Sequence, residues 1–191
     1  MIKAGTGDKD FIINLLVEGF EENKSVNYII AQGTKKKQQI KALMDYSFEI
    51  CNRFGEIFLN EDKSACALIL YPDKKKTNLQ SIVLDIKLIL QCIGLFNVRR
   101  ALQREKKINA LHPDKNIFYL WYIAVNKNDQ GKGTGSAFLK QICDHAEFLN
   151  KNIYLETSTE RNISWYQKMG FELYKELDFT YTLSCFRKNK K

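Results

Sequence analysis

Residues 117–125, Ile-Phe-Tyr-Leu-Trp-Tyr-Ile-Ala-Val, are nine aromatic and aliphatic side chains without one charge. A strand with one face in water would alternate with polar residues, so this run reads as a β-strand covered on both faces. Downstream, Phe138, Leu139, Ile142, Cys143, Ala146 and Leu149 recur at steps of three and four, the apolar stripe of an amphipathic helix. Between strand and helix lie five polar residues, 126–130, and then Gly131-Lys132-Gly133-Thr134-Gly135-Ser136. Glycine has no Cβ and can take positive φ, so consecutive amide N–H groups can converge while the following helix adds its positive dipole end. Such a place suits phosphate or pyrophosphate.

Three ligand classes use loops of this kind. A Walker-type loop needs Gly-Lys followed by Ser or Thr, but Lys132 is followed by Gly133. A dinucleotide fingerprint needs a third glycine where Ser136 stands, although Glu156 lies about where its ribose-binding acid would fall. The third pattern is Gln/Arg-x-x-Gly-x-Gly/Ala, met by Gln130, Gly133 and Gly135. A glycine-containing connection with no ligand is the plain alternative. Residues 153–155 then read as a short strand, and 162–169 as a short helix closed by Gly170 in a left-handed cap.

Tyr119-Leu-Trp-Tyr-Ile-Ala-Val125, the Gln130 loop, and Asn162-x-x-x-Trp165-Tyr166-x-x-x-Gly170-Phe171 together resemble the core of the GCN5-related N-acetyltransferases (GNAT) over about sixty residues. The resemblance implies an α/β fold of the α+β type. Its central sheet would be mixed but mostly antiparallel, with about six to seven strands, flanked by helices and splayed between the fourth and fifth strands. It further implies acetyl-CoA as cosubstrate, its pantetheine arm held by backbone groups of Ile123, Ala124 and Val125. The pyrophosphate would rest on Gln130, Gly131, Lys132, Gly133, Thr134, Gly135 and Ser136, with Asn162 and Tyr166 beside the cofactor. The reaction so implied is direct transfer of an acetyl group to a primary amine, the acceptor being a small molecule or a peptide.

Acetyl transfer needs a neutral amine, a stabilised oxyanion and a proton for the departing thiolate. Tyr166 suits the last role, since a phenol of pKa about 10 stays protonated at neutral pH and can donate to a thiolate whose parent thiol has pKa about 8.5. The alternative is that Tyr166 only packs beside Trp165 and Phe171. Many family members carry a basic carboxylate or histidine on the strand before the loop, and this strand has neither. Simple alternation puts Tyr119, Trp121, Ile123 and Val125 on one face and Phe118, Leu120, Tyr122 and Ala124 on the other. Glu156, at the end of the next strand, is the nearest acid by topology and the candidate base; ordered water, or a purely structural Glu156, is the competing reading. His112, before Pro113 in a polar turn, and His145, off its helix's apolar stripe, read as surface residues. Cysteines 51, 66, 92, 143 and 185 show no C-x-x-C pair, so no metal is expected.

With 191 residues and 45% apolar content, residues 1–191 suffice for a single acetyltransferase-like domain. No secretory signal opens the chain and its cysteines read as reduced, so a cytoplasmic location is expected. Phe11, Ile12, Leu15, Leu16 and Phe20 mark one helix, and Ile40, Leu43, Met44, Ser47 and Cys51 another. A hairpin of residues 57–59 and 65–71 follows, and 172–177 with 179–186 read as the closing antiparallel strands. An apolar helical insertion at about 78–110, its helix over residues 81–98, is too often interrupted by charge to span a bilayer. It reads as a cover for the acceptor cleft, a contact with a partner subunit, or an added core helix. No membrane partner is expected, and a homodimer is left open. The net charge of +8, spread over Lys35 to Lys37, Lys74 to Lys76, residues 99–107 and the tail 187–191, would attract the phosphates of CoA. Nucleic-acid binding is disfavoured because no recognition motif accompanies that charge. It stays open as a reading, as does a CoA-binding regulator without turnover.

Overall fold

The computed structural model describes residues 1–31, 33–112 and 116–190; Pro113 of the expected turn and Lys191 of the basic tail lie outside them. Seven strands form one sheet: β1 (Ile2–Lys3), β2 (Gly55–Leu59), β3 (Ala65–Leu70), β4 (Ile117–Val125), β5 (Asn152–Thr157), β6 (Glu172–Asp178) and β7 (Thr182–Lys188). Their order is β1-β2-β3-β4-β5-β7-β6. Every neighbouring pair is antiparallel except β4 and β5. This is the mixed, mostly antiparallel sheet that the family resemblance implies.

Helices α1 (Lys9–Phe20) and α3 (Lys36–Phe54) cover one face, where Ile12, Leu16, Met44 and Cys51 pack with Leu68 and Tyr122. On the other face α6 (Thr134–Phe148) sends Phe138, Leu139 and Ile142 against Phe118, Ile153 and Phe186. The apolar run of β4 is explained by its place between these two cores. Short α2 (Lys24–Ile29), capped by the Asn23 side chain accepting from the Val26 amide at 3.0 Å, has no counterpart in the sequence reading. Phe11 is exposed rather than part of the α1 stripe; Ile13 and Val17 are buried instead, because α1 packs on both the sheet and α3. The last hairpin turns at residues 179–181, so Phe179 and Tyr181 lie before β7 and pack against the Tyr28 ring, one tilted and one edge-on.

The segment expected to be one helix over residues 81–98 is two. Asn78 opens α4 (Leu79–Leu88) by a reciprocal exchange with Ser81, each backbone N–H reaching the other's side chain at 2.9 Å. A π-turn over residues 89–93 follows, and at Gly94, with φ +71°, the chain bends by 104° into α5 (Val98–Asn109). No single described helix is long and apolar enough to cross a membrane.

Polar clamps hold α4 on α3. The Tyr46 hydroxyl donates to Asp85 Oδ1 at 2.8 Å, and Asp45 accepts from Lys9 of α1 at 2.8 Å and Lys87 of α4 at 3.1 Å. Burial pushes the Asp45 carboxyl up, but the hydrogen bonds from Lys9 and Lys87 outweigh it and hold the pKa below its ordinary 3.8. A carboxylate so depressed stabilises the fold above its unfolded value, and that contribution is lost as pH falls through the folded one. Asp45→Asn is expected to lower stability by about 1 kcal/mol at neutral pH in urea unfolding. The difference from wild type should shrink below the ordinary carboxylate range.

Candidate acyl-transfer site

The sheet is not closed at its centre. β4 and β5 pair only where Ile117 to Tyr119 meet Asn152 to Tyr154, and beyond that the strands diverge. β5 continues by pairing β7 up to Thr157, while β4 continues along β3 to Val125. From residue 120 the β5-facing edge of β4 therefore has no ladder partner. A cavity of about 560 Å³ occupies the opening, lined on the β4 side by Leu120, Trp121, Ile123, Ala124 and Val125 and on the β5 side by Glu156 and Thr157.

A bulge on β4 helps to set this geometry. Leu68 pairs with Tyr122 but Ile69 pairs with Leu120, which leaves Trp121 as the extra residue. Simple alternation fails there. Tyr119, Trp121, Tyr122 and Ala124 pack on the α1–α3 side, and Phe118, Leu120, Ile123 and Val125 on the α6 side, in place of the two faces read from the sequence.

At the end of β4 the loop turns into α6. Asn126 caps its first turn, the Gln130 side chain donates to the Val125 carbonyl at 3.0 Å, and Lys132 pairs with Asp129 at 3.3 Å. Gly131 and Gly133 take φ of +77° and +85°, the left-handed region that a side chain would strain. The amides of residues 131–136 find no acceptor among the described residues, so this row of donors stands at the N-terminus of a 15-residue helix. Gln130, Gly131, Gly133, Gly135 and Ser136 line the cavity. Lys132 and Thr134 do not line it.

α7 (Glu160–Lys168) closes one side, bringing Asn162, Trp165 and Tyr166 to the cavity. Trp165 Nε1 donates to Ser136 Oγ at 2.9 Å, tying α7 to the start of α6. Tyr166 is buried against Trp165, Phe171 and Phe186, yet its hydroxyl makes no hydrogen bond among the described residues and is not sealed from solvent. Burial first, and the Glu156 charge second, raise its pKa far above that of a free phenol. The hydroxyl is therefore a proton donor and not a phenolate at neutral pH.

Across the opening, Glu156 is 5% exposed and accepts from the Tyr119 hydroxyl at 2.5 Å. Its other oxygen lies 3.1 Å from His112 Nε2. Burial and the Glu156 charge keep Tyr119 protonated, so the phenol is the donor in that contact. His112, expected at the surface, is 6% exposed and packs between Tyr119 and Tyr154. It lies five residues before β4 and no spacing marks it in the sequence. His145 is half-buried rather than a surface residue: its Nε2 meets Glu56 at 2.9 Å, in a group that also holds Tyr71 and does not line the cavity. The cavity further takes in Phe20, Asn23, Thr159 and the exposed Arg161, which the motif reading did not single out. Among the described residues no cluster of three metal-ligating side chains occurs.

A sheet split beside a row of helix-start amides, with a carboxylate and a phenol facing the gap, is the architecture of an acyltransferase. Over residues 89–173 the chain matches the family model described as acetyltransferase (GNAT) domain. Among solved structures it resembles one described as histone acetyltransferase HPA2 and related acetyltransferase from Corynebacterium glutamicum. The TM-score is 0.73 at 20% identity, covering 100% of this chain and 95% of that one. Arylalkylamine N-acetyltransferase 2 from Aedes aegypti matches with TM-score 0.66 at 16% identity, covering 100% and 98%. The C-terminal condensation domain of Ebony, solved with beta-alanyl-dopamine, matches with TM-score 0.69 at 7% identity, covering 98% and 96%. At these identities the solved structures establish a shared fold.

Proposed function

We propose that the protein transfers an acetyl group from acetyl-CoA to a primary amine by direct attack within the β4–β5 opening. The observation that carries this reading is the opening itself, which joins unpaired β4 edge, free loop amides, Tyr166 and Glu156 in one cavity. Bound acetyl-CoA supplies the activated thioester. The amides of residues 131–136 would take the diphosphate, with Gln130 and Lys132 shaping the loop and Arg161 adding a cation at the rim. Backbone groups of Ile123, Ala124 and Val125 offer the pantetheine amides the ladder that β5 leaves unmade. Asn162 flanks this arm from the first turn of α7.

In this proposal Tyr166 donates its proton to the leaving thiolate, and Glu156 takes the proton lost by the amine, directly or through one water. Tyr119 and His112 hold the carboxylate in place. A carboxylate has about four lone-pair positions, so two partners leave room for a third donor. The acceptor would approach from the side of Phe20, Asn23 and Trp121, which suits a small amine or an exposed peptide amine. Thiol release from acetyl-CoA with a panel of amines tests the reaction. Binding of CoA without release under any amine would leave a cofactor-binding regulator instead. Gly133→Val, which forces a β-branched residue to positive φ in the loop, is expected to weaken CoA binding at least about tenfold in calorimetry.

A further inference from the structure

We propose that the α4–α5 elbow docks on an anionic lipid surface. Helix α4 is apolar on two faces and only one is covered. Leu84 and Leu88 turn toward the α1–α3 core, while Leu79, Ile82, Val83 and Ile86, at spacings of three and four, point away from it and are exposed. The uncovered apolar surface continues past the bend. Leu90 is 69% exposed, Leu95 74%, and Phe96, at the corner itself, 101%. An uncovered apolar run of this extent marks a contact surface rather than ordinary scatter.

Charge selects the occupant. Residues 72–109 hold nine lysines and arginines against three acids, six of the chain's eight surplus positive charges. Of these groups Lys87 is paired with Asp45, Arg100 with the Tyr28 carbonyl, Arg104 with Glu105 and Tyr181, and Asp85 with Tyr46, which leaves Lys74, Lys75, Lys76, Arg99, Lys106 and Lys107 exposed. Lys74, Lys75 and Lys76 precede the exposed start of α4, and Arg99 and Lys106 share the outward face of α5 with Leu102. A second copy would set one cationic rim against another, which disfavours self-pairing. Nucleic acid would meet the lysines but leave the exposed aliphatic run of Leu79, Ile82, Val83, Ile86, Leu90 and Leu95 in water. An anionic bilayer satisfies both demands: the corner residues enter the headgroup region, while long basic side chains reach the phosphates around them. The sequence expectation of no membrane partner rested on the length needed to cross a bilayer, and lying on one has no such requirement.

Flotation with vesicles tests this. The full chain should float with phosphatidylcholine vesicles containing about one-third phosphatidylglycerol and stay in solution with phosphatidylcholine alone. Raising salt to about 0.5 M should release it at least about tenfold. Phe96→Ser, at a fully exposed position, should reduce flotation about tenfold with thermal stability and CoA binding unchanged. Lys74→Glu with Lys76→Glu should reduce it similarly. Failure to float with the mixed vesicles, equal flotation with neutral ones, or indifference to Phe96→Ser would overturn the proposal. So would a dimer in sedimentation velocity that Phe96→Ser dissolves, or salt-sensitive DNA binding without flotation.

Discussion

Tyr166→Phe is expected to lower kcat by about a hundredfold or more while KM for acetyl-CoA changes little. The substitution removes one oxygen from a ring that keeps its contacts with Trp165, Phe171 and Phe186. No internal hydrogen bond is lost, because the hydroxyl has no partner among the described residues, so unfolding should be unchanged or slightly harder. A hydroxyl kept for packing would give the reverse: a loss of stability with turnover intact. Steady-state kinetics beside a thermal melt separates the two, and unchanged turnover would remove Tyr166 from the mechanism.

Glu156→Gln is the second large effect, a fall in kcat of about a hundredfold. The amide keeps the size of the carboxyl and can still accept from Tyr119, so the protein should remain folded. What it lacks is the capacity to take the amine's proton. Glu156→Ala should instead cost stability, about 2 kcal/mol, because the buried Tyr119 and His112 both lose their shared acceptor. Wild-type turnover in Glu156→Gln would assign the carboxylate to structure alone and leave deprotonation to water. Acceptors that are already neutral at the assay pH should suffer least from the substitution.

The central frame of the fold was legible because its signals are local. An uncharged nine-residue run, a glycine loop and a helical stripe specify β4, the turn and α6 from neighbouring residues alone. Glu156 followed from its place at the end of the next strand and Tyr166 from the family resemblance, and the structure brings both to one cavity. What stayed hidden depends on distant partners. The bulge at Trp121 exists only in register with β3, so alternation along β4 could not reveal which side chains share a face. His112 has no motif around it; its burial comes from Tyr119, Tyr154 and Glu156 on two later strands. The break at Gly94 was a weaker omission, since a glycine in an apolar helical pattern already signals a helix end.

The backbone ladder between β4 and β5 is three residue pairs long. Under the proposed function, an empty molecule is thus two half-sheets meeting at a short seam, and the pantetheine arm supplies the missing rungs. The donor of the acetyl group would then also be a splint, locking the halves together for as long as it is held and freeing them on departure. Chemistry and rigidity would share one schedule, set by the arrival and loss of a borrowed strand.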